Sequence, residues 1–318
     1  MVNPLPGRAA PMRLAVPDLI SPSYFPLIAA VELGCIAARG VECELELRFP
    51  VLDAVQDLRA GKLDVLGGAA HTMFHGAPDG GGVRLFAALA RHTYWFLVVR
   101  SDLGLRPGDP IEALCGLRIA AAPGPVDALV QLLEESGLPP GAVAIGPVPA
   151  STDGNTSFGV MAAEALAAGR IDGFWANGMG AEVAVRAGTG TVLIDARRGD
   201  GPAGLARFTF PGLMALEPAN EAGSARLAAV LAGMMDAQAR LREDPGLATE
   251  VGRRLFPAAE ADLIAGLIAR DAPFYEPAIG ADDVVALVDF ARRRGLTDLD
   301  LGADEVIAAG ARDLWAAA

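Results

Sequence analysis

The three histidines of the chain lie close together in the sequence, between residues 71 and 92. His71 and His75 are four residues apart, so their side chains share one face if the segment is helical. Imidazole nitrogens act as general acids and bases near neutral pH, and they also bind metals such as zinc. The nearest carboxylate in the sequence is Asp79, which leaves a metal site poorly supported. We therefore predict that His71 contacts a ligand and that no metal is bound.

Aromatic and polar side chains elsewhere in the sequence could also bind a small molecule. Trp175 can stack on a ligand in a cleft, or it can fill the core beneath a sheet. Arg91 can pair with a carboxylate through two hydrogen bonds, or it can be a surface arginine. The segment Ser151–Ser157, STDGNTS, is rich in hydrogen-bond donors. It can bind a ligand, or it can be a plain solvated loop. The sequence contains no GxSxG motif and no phosphate-binding loop.

A repeated segment positions several of these residues. Leu58–Thr72 reads LRAGKLDVLGGAAHT and Leu166–Gly173 reads LAAGRIDG, so both share the pattern Leu-x-Ala-Gly-basic-aliphatic-Asp. In each copy the glycine follows a predicted helix, at the position where a left-handed residue ends it. A short strand then leads into a loop, and ligands of open α/β sheets collect outside the carboxyl ends of strands. The loops after the two copies are therefore candidates for one shared site.

The order of the predicted elements indicates an α/β protein with two lobes. Strands alternate with helices over the first two-thirds of the chain, which predicts mostly parallel sheets flanked by helices, and the C-terminal part is mainly helical. We predict one lobe from residues 12–99 and 208–318, an inserted lobe from residues 100–207, and a flexible leader at residues 1–11. Two crossing segments form a hinge, and such a protein closes on a ligand between its lobes.

Composition excludes several classes of partner. The chain has 318 residues, and 52% of them are apolar, which is enough to fill two cores. Its net charge of −13 argues against a nucleic-acid partner, because such a partner requires a basic surface that binds phosphates. The sequence contains no run of 18 consecutive apolar residues, so no membrane-spanning helix is predicted. The first residues, MVNPLPGRAAPMRLAV, lack the apolar core of a signal peptide, so the chain as written is predicted to be cytoplasmic, or periplasmic if it is a trimmed mature form. Three scattered cysteines predict no disulfide framework. We predict no cofactor, since the single lysine, Lys62, is poorly placed for a Schiff base.

Five segments together resemble the type II periplasmic-binding-protein fold. The chain looks most like the nitrate/sulfonate/taurine solute-binding family, which also contains the thiamine-pyrimidine-precursor synthases. The segments that carry the resemblance are Pro26–Leu45, Leu58–Thr72, Phe96–Asp102, Leu114–Gly124 and Ala165–Ala176. Their order and spacing specify the fold better than they specify a ligand.

The resemblance implies a ligand site built from the loops that follow strands. The implied ligand contacts are Ser21, Ser23, Tyr24, His71, Thr72, Arg91, His92, Gly124, Thr152, Asn155, Trp175 and Asn177. The repeat places the loop of His71 on one wall of the cleft and that of Trp175 on the other. Several of these loops precede helices, whose free N–H groups favour an anion.

The expected function is therefore that of an ABC-transporter solute-binding protein. It would close two lobes over a small organic anion, a carboxylate or a sulfonate, and an ABC permease would be its second partner. The alternative is a cytosolic lyase on the same fold, a decarboxylase or dehydratase, with His71 as its general acid–base. The thiamine-pyrimidine-precursor branch is disfavoured, because its cysteine-rich motif is absent from the sequence.

Overall fold

The computed structural model describes residues 10–149 and 157–316, which form two five-stranded sheets flanked by helices. The strands are β1 (Met12–Val16), β2 (Cys43–Leu47), β3 (Val65–Ala69), β4 (Val83–Ala88), β5 (Phe96–Arg100), β6 (Arg118–Ala121), β7 (Ala144–Gly146), β8 (Gly173–Ala176), β9 (Gly190–Asp195) and β10 (Pro211–Leu216). The α-helices are α1 (Phe25–Glu32), α2 (Val51–Arg59), α3 (Val126–Glu135), α4 (Phe158–Ala167), α5 (Gly178–Arg186), α6 (Glu221–Glu243), α7 (Leu247–Leu255), α8 (Ala258–Asp271), α9 (Ala281–Arg293), α10 (Ala303–Val306) and α11 (Ala311–Ala316).

The two sheets have the same topology. Their strand orders are β2-β1-β3-β10-β4 and β7-β6-β8-β5-β9. In each sheet the first three strands pair in parallel, and the fourth strand is antiparallel to both of its neighbours. In the chain, each antiparallel strand follows the strands of the other sheet: β10 of the first sheet comes after β9, and β5 of the second sheet comes after β4. The prediction of two mixed, mostly parallel sheets flanked by helices is therefore confirmed.

The repeated segment ends a helix in the same way in each half. Gly61 and Gly169 have φ values of 67° and 66°, the left-handed conformation that ends a helix without a side-chain clash. The aspartate of each copy then binds an arginine on the neighbouring parallel strand. Asp64 accepts hydrogen bonds from the backbone N–H and the guanidinium of Arg13, and Asp172 accepts the same pair from Arg118.

The same two arginines reach back to the helix end. Arg13 Nη2 donates to the carbonyl oxygen of Gly61 at 2.8 Å, and Arg118 Nη2 donates to that of Gly169 at 3.0 Å. These bonds satisfy carbonyl groups that a helix C-terminus leaves without intrahelical partners. Each arginine therefore connects the start of its own strand to the turn that precedes the neighbouring strand of the sheet.

Two predicted helices are shorter than expected. The apolar pattern of Ser23–Ala38 predicts one continuous helix, but α1 ends at Glu32 because Gly34 takes a left-handed φ of 72°, and a 3-10 turn follows. By residue type and position Ser21 or Ser23 is expected to cap this helix, but it begins after Tyr24 without a side-chain cap, so that expectation is wrong. The pattern of Ala303–Ala317 likewise predicts one helix, but α10 ends at Val306 and α11 begins only after Gly310, whose φ is 78°.

A continuous core joins helices and strands of both sheets. Its largest fully buried side chains include Trp175, Tyr94, Tyr275 and Phe25. Gly67 and Gly68 lie within β3, where an added Cβ would come within 3.0 Å of Leu27 and 2.9 Å of Met214. Across residues 10–149 and 157–316 we find no helix that is both long enough and apolar enough to span a membrane.

The predicted lobe boundaries remain a proposal. Strand β5 belongs to the second sheet and β10 to the first. The proposed division is residues 12–99 with 208–318 for one lobe and residues 100–207 for the other. Most of the predicted leader, residues 1–9, lies outside the described part of the chain.

Candidate functional site

An aromatic cavity lies between the two sheets. Its volume is about 440 Å³, including the part open to solvent. Six aromatic side chains line it: Tyr24, Phe49, Tyr94, Trp95, Phe158 and Trp175. Phe49 stacks on Phe158 with 6.5 Å between ring centroids. Such a lining suits a ligand with a flat apolar body, since rings bury large areas and stack on other rings.

Asp18 is the single charged side chain among the described residues that line this cavity. Its Oδ1 accepts the backbone N–H of Ile20 at 2.9 Å. Its Oδ2 accepts the hydroxyl of Ser157 at 2.9 Å and the side-chain N–H of Asn177 at 3.1 Å. The carboxylate therefore ties the loop after β1 to the N-cap residues of α4 and α5. Burial raises the pKa of Asp18 to about 6, although these three hydrogen bonds act against the rise.

Two tyrosines meet beside Asp18. The hydroxyl oxygens of Tyr24 and Tyr94 are 2.7 Å apart, and the rings cross edge to face. Burial raises the pKa of both phenols above the ordinary range, so both hydroxyls keep their protons. Trp95 packs against Tyr94 and Trp175, with centroid distances of 4.5 Å and 5.9 Å. The indole N–H of Trp175 donates to the carbonyl of Pro125 at 3.1 Å, which fixes its ring at the wall.

A second polar cluster lies behind Trp95. His71 is fully buried, its ring 6.2 Å from that of Trp95. Its Nδ1 is 3.1 Å from the hydroxyl of Thr209, and its Nε2 is 3.1 Å from the carbonyl oxygen of Gly124. His75 Nε2 lies 2.7 Å from Asp127 Oδ2, at the start of α3. Burial would raise the pKa of Asp127, but hydrogen bonds and charge from the two histidines hold it well below its usual range.

Gly124 lets these two parts of the chain approach closely. Its φ is 89°, and a Cβ at this position would lie 2.7 Å from Val51 Cγ1 and 3.2 Å from Thr72 Cγ2. Gly124 follows β6 of the second sheet, whereas Val51 begins a helix beside the first sheet. A side chain would therefore push the two parts of the chain apart here.

Arg91 and His92 border a different cavity, of about 290 Å³. Arg91 Nη2 is 3.8 Å from Asp283 Oδ2, and Arg207 Nη2 is 3.2 Å from Asp283 Oδ1. His92 has a φ of 69° and contacts the carbonyl of Arg197 through Nδ1 at 3.3 Å. Burial lowers the pKa of this imidazole. These two predicted contacts thus lie apart from the aromatic cavity.

The other predicted contacts divide into three groups. Tyr24, Trp175 and Asn177 line the aromatic cavity. Ser21, Ser23, His71, Thr72 and Gly124 are outside its described lining; the first four are buried, and Thr72 donates its hydroxyl to the carbonyl of Ala69. Thr152 and Asn155 fall outside the described residues. The role of all twelve residues in ligand binding remains a prediction.

Several cavity residues were not predicted. Asp18 follows β1 directly and belongs to the type of loop that supplied the other candidates, so its position was available as a signal. The alternation of apolar residues from Val41 to Phe49 predicts that Phe49 faces the core, but its side chain is 47% exposed beyond the end of β2. Tyr94, Trp95 and Phe158 looked like ordinary apolar positions of a strand and a helix.

No protein-family model matches the chain, and no curated protein matches it. Solved structures do match over nearly its whole length. The ligand-binding component of an ABC-type import system from Staphylococcus aureus, with zinc bound, is 10% identical, covers 96% of this chain and 98% of its own, and gives a TM-score of 0.74. The alkanesulfonate-binding protein SsuA from Xanthomonas axonopodis, bound to MOPS, is 16% identical, with coverages of 96% and 98% and a TM-score of 0.69.

An enzyme shares the same architecture. The desulfurization enzyme DSZB is 14% identical, with coverages of 96% and 99% and a TM-score of 0.64. At these identities the likeness concerns the fold. The chain therefore has the two-lobed, type II fold of periplasmic solute-binding proteins.

Proposed function

We propose that the protein is a solute-binding protein of the ABC-transporter type, which closes two lobes over a small organic ligand. The observation that carries the proposal is the position of Asp18. Its carboxylate, on the loop after β1, binds Ser157 and Asn177 at the starts of two helices of the other sheet, directly at the aromatic cavity. A cavity whose walls come from both sheets is completed only when these walls meet, which is how a hinged binding protein retains its ligand.

The lining favours a ligand with a flat organic body over a bare inorganic anion. Phe49 and Phe158 offer partly exposed stacking surface, and the other four aromatic side chains form an almost fully buried wall behind them. The described lining contains no arginine or lysine, and Asp18 repels a negative charge placed beside it. The carboxylate or sulfonate predicted from the sequence would therefore have to lie away from Asp18.

The lyase alternative has less support. His71 was its expected acid–base group, and both ring nitrogens of His71 already contact protein atoms, those of Thr209 and Gly124. Its side chain is fully buried, and it is not among the described residues that line the cavity. A general acid–base must reach the substrate directly or through one water. The arrangement therefore favours binding over catalysis.

The proposal includes an ABC permease as partner and, if the chain is a trimmed mature form, a periplasmic location. Its support is the fold, which is shared with binding components of import systems. Co-purification with the products of neighbouring transport genes would test this part separately from ligand binding.

A ligand panel tests the proposal. The panel contains aromatic carboxylates, aromatic and aliphatic sulfonates, neutral aromatics and aromatic amines. We expect one class to raise the melting temperature and to bind with one-to-one stoichiometry in calorimetry, and mass spectrometry should find the compound unchanged. Conversion of the compound would favour the lyase, and the absence of binding by every class would count against the proposal.

Two matched variants locate the site. Phe49→Ala removes a partly exposed ring from the cavity, and Val285→Ala removes an exposed aliphatic side chain from α9. We expect the first to weaken binding by about 1 kcal/mol, or roughly fivefold, and the second to leave it unchanged. Equal affinities for both variants would show that the ligand binds elsewhere.

A further inference from the structure

His71, His75 and Asp127 form a compact group of metal-binding atoms. Asp127 Oδ2 lies 2.7 Å from His75 Nε2 and 3.5 Å from His71 Nε2, and the three atoms all lie within 4.8 Å of one another. In a tetrahedral zinc site with bonds of about 2.0–2.1 Å, neighbouring ligand atoms are roughly 3.3 Å apart. The three atoms therefore need to move by only a small distance to surround one ion.

The group combines residues that the sequence keeps far apart. His71 and His75 belong to the loop after β3, at the two ends of one 3-10 turn, whereas Asp127 belongs to the first turn of α3, after β6. The sequence near the two histidines offers no well-placed carboxylate. In the fold, Asp127 supplies it from a helix that follows a strand of the second sheet. An ion held by all three would join the two halves of the protein.

The surroundings of His71 suit a metal ligand. Thr209 Oγ1 lies 3.1 Å from His71 Nδ1, so a proton on Nδ1 can be donated to this hydroxyl. Nε2 then keeps its lone pair, 3.1 Å from the carbonyl oxygen of Gly124 and 3.5 Å from Asp127 Oδ2. Metal-binding histidines are commonly held in this way through their second nitrogen. The carbonyl oxygen of Gly124, 3.1 Å from Nε2, or a water molecule can supply the fourth ligand.

An ion can reach this group of ligands from solvent. His71 is fully buried, but the side chains of His75 and Asp127 are 22% and 16% exposed. The outer two ligands can therefore bind an ion from solvent and pass it to the inner one. The group lies behind Trp95, outside the described lining of the aromatic cavity, so the site is distinct from the proposed ligand site.

We propose that His71, His75 and Asp127 bind one divalent transition-metal ion, with zinc as the best match, and that this ion fastens the two halves of the protein together. Two imidazoles and one carboxylate suit zinc, and three protein ligands leave one position open. The proposal does not depend on the identity of the organic ligand or on the proposed transport function.

The test uses the full chain without an affinity tag, freed of metal by a chelator and titrated with zinc chloride in calorimetry. We expect one zinc ion per chain and a higher melting temperature with zinc. His75→Ala and Asp127→Asn each remove one ligand and should weaken binding by more than the roughly 10- to 100-fold that loss of an outer partner costs a metal site. Cobalt should bind at the same stoichiometry and show the visible absorption of a tetrahedral site.

His92→Ala is the matched control, because it removes the remaining histidine, which lies in the other cavity. It should bind zinc as the unaltered protein does. Circular dichroism and the melting temperature of each metal-free variant establish that it is folded. The proposal is overturned if the unaltered protein fails to bind zinc stoichiometrically, or if folded His75→Ala and Asp127→Asn bind it as tightly as His92→Ala.

Discussion

The side-chain amide of Asn177 donates a hydrogen bond of 3.1 Å to the carboxylate of Asp18, across the boundary between the two sheets. Asn177 also accepts the backbone N–H of Met179 and so caps α5. One asparagine therefore both begins a helix and holds the opposite wall of the cavity. Its amide orientation is fixed by these two bonds, because only its oxygen can accept and only its nitrogen can donate.

Asp18→Asn should change how stability depends on pH. The folded state raises the pKa of Asp18 from 3.8 to about 6, so it favours the protonated acid. The stability tied to this group is therefore complete below pH 4 and is lost as the pH rises through 6, by roughly 3 kcal/mol at most. Urea unfolding from pH 4 to pH 7.5 should show the variant gaining stability relative to the unaltered protein. Parallel pH curves would contradict this.

Gly124→Ala should weaken the contact between the two sheets. The variant strains a φ of 89° and places a Cβ 2.7 Å from Val51 Cγ1. Gly104→Ala is the control, since its φ of 70° is similarly strained but no atom lies within 4 Å of the added carbon. Backbone strain costs each variant about 1 kcal/mol, and steric overlap should cost the first about 1–3 kcal/mol more. Equal losses in thermal unfolding would mean that Gly124 is required only for its backbone conformation.

Arg197→Ala should be costly, and Arg198→Ala should not. Arg197 Nη1 binds Asp271 Oδ2 at 2.8 Å with both side chains 4% exposed. Among the described residues, the variant leaves this buried carboxylate with Arg270 as its one ionic partner. We expect a loss of about 3 kcal/mol in the free energy of unfolding. Arg198 pairs with Asp195 near the surface, and its loss should cost less than about 1 kcal/mol. Similar losses in denaturant unfolding would refute the difference.

The two arginine–aspartate pairs of the repeat should respond alike. Asp64→Asn and Asp172→Asn each remove the charge while keeping an oxygen for the backbone N–H of the partner arginine. Both pairs are partly exposed, so each variant should cost about 1 kcal/mol, and less in high salt. Unfolding measured with and without 1 M salt checks this. A large loss for one variant and none for the other would show that the copies are not energetically equivalent.

The fold could be predicted from sequence because its signals are local. Alternating apolar residues, glycine stops such as Gly61 and Gly169, and the repeated aspartate each depend on a few neighbouring positions. The helix after Tyr24 was extended too far because Gly34 breaks it within an apolar run. Apolar residues continue past this glycine, at Cys35 and Ile36, so the apolar pattern alone did not mark it as a helix end.

The site was predicted less well because it is assembled from distant segments. Trp175 and Asn177, which follow the repeat, were candidates and line the aromatic cavity, but Asp127 was not singled out from the sequence. Its partners, His71 and His75, lie over fifty residues earlier in the chain. Single-sequence reasoning can rank residue types within a segment, but it cannot tell which segments meet.

The two antiparallel strands, β5 and β10, also constrain the order in which the two sheets can be completed during synthesis. Strand β10 lies between β3 and β4, so the first sheet lacks an internal strand until the ribosome has passed residue 216. The second sheet has all five of its strands by residue 195. Since chains emerge from the N-terminus and domains tend to fold as units, the later-encoded sheet can be completed first. The N-terminal strands must then wait, partly paired, for a strand that is synthesised more than a hundred residues after β4.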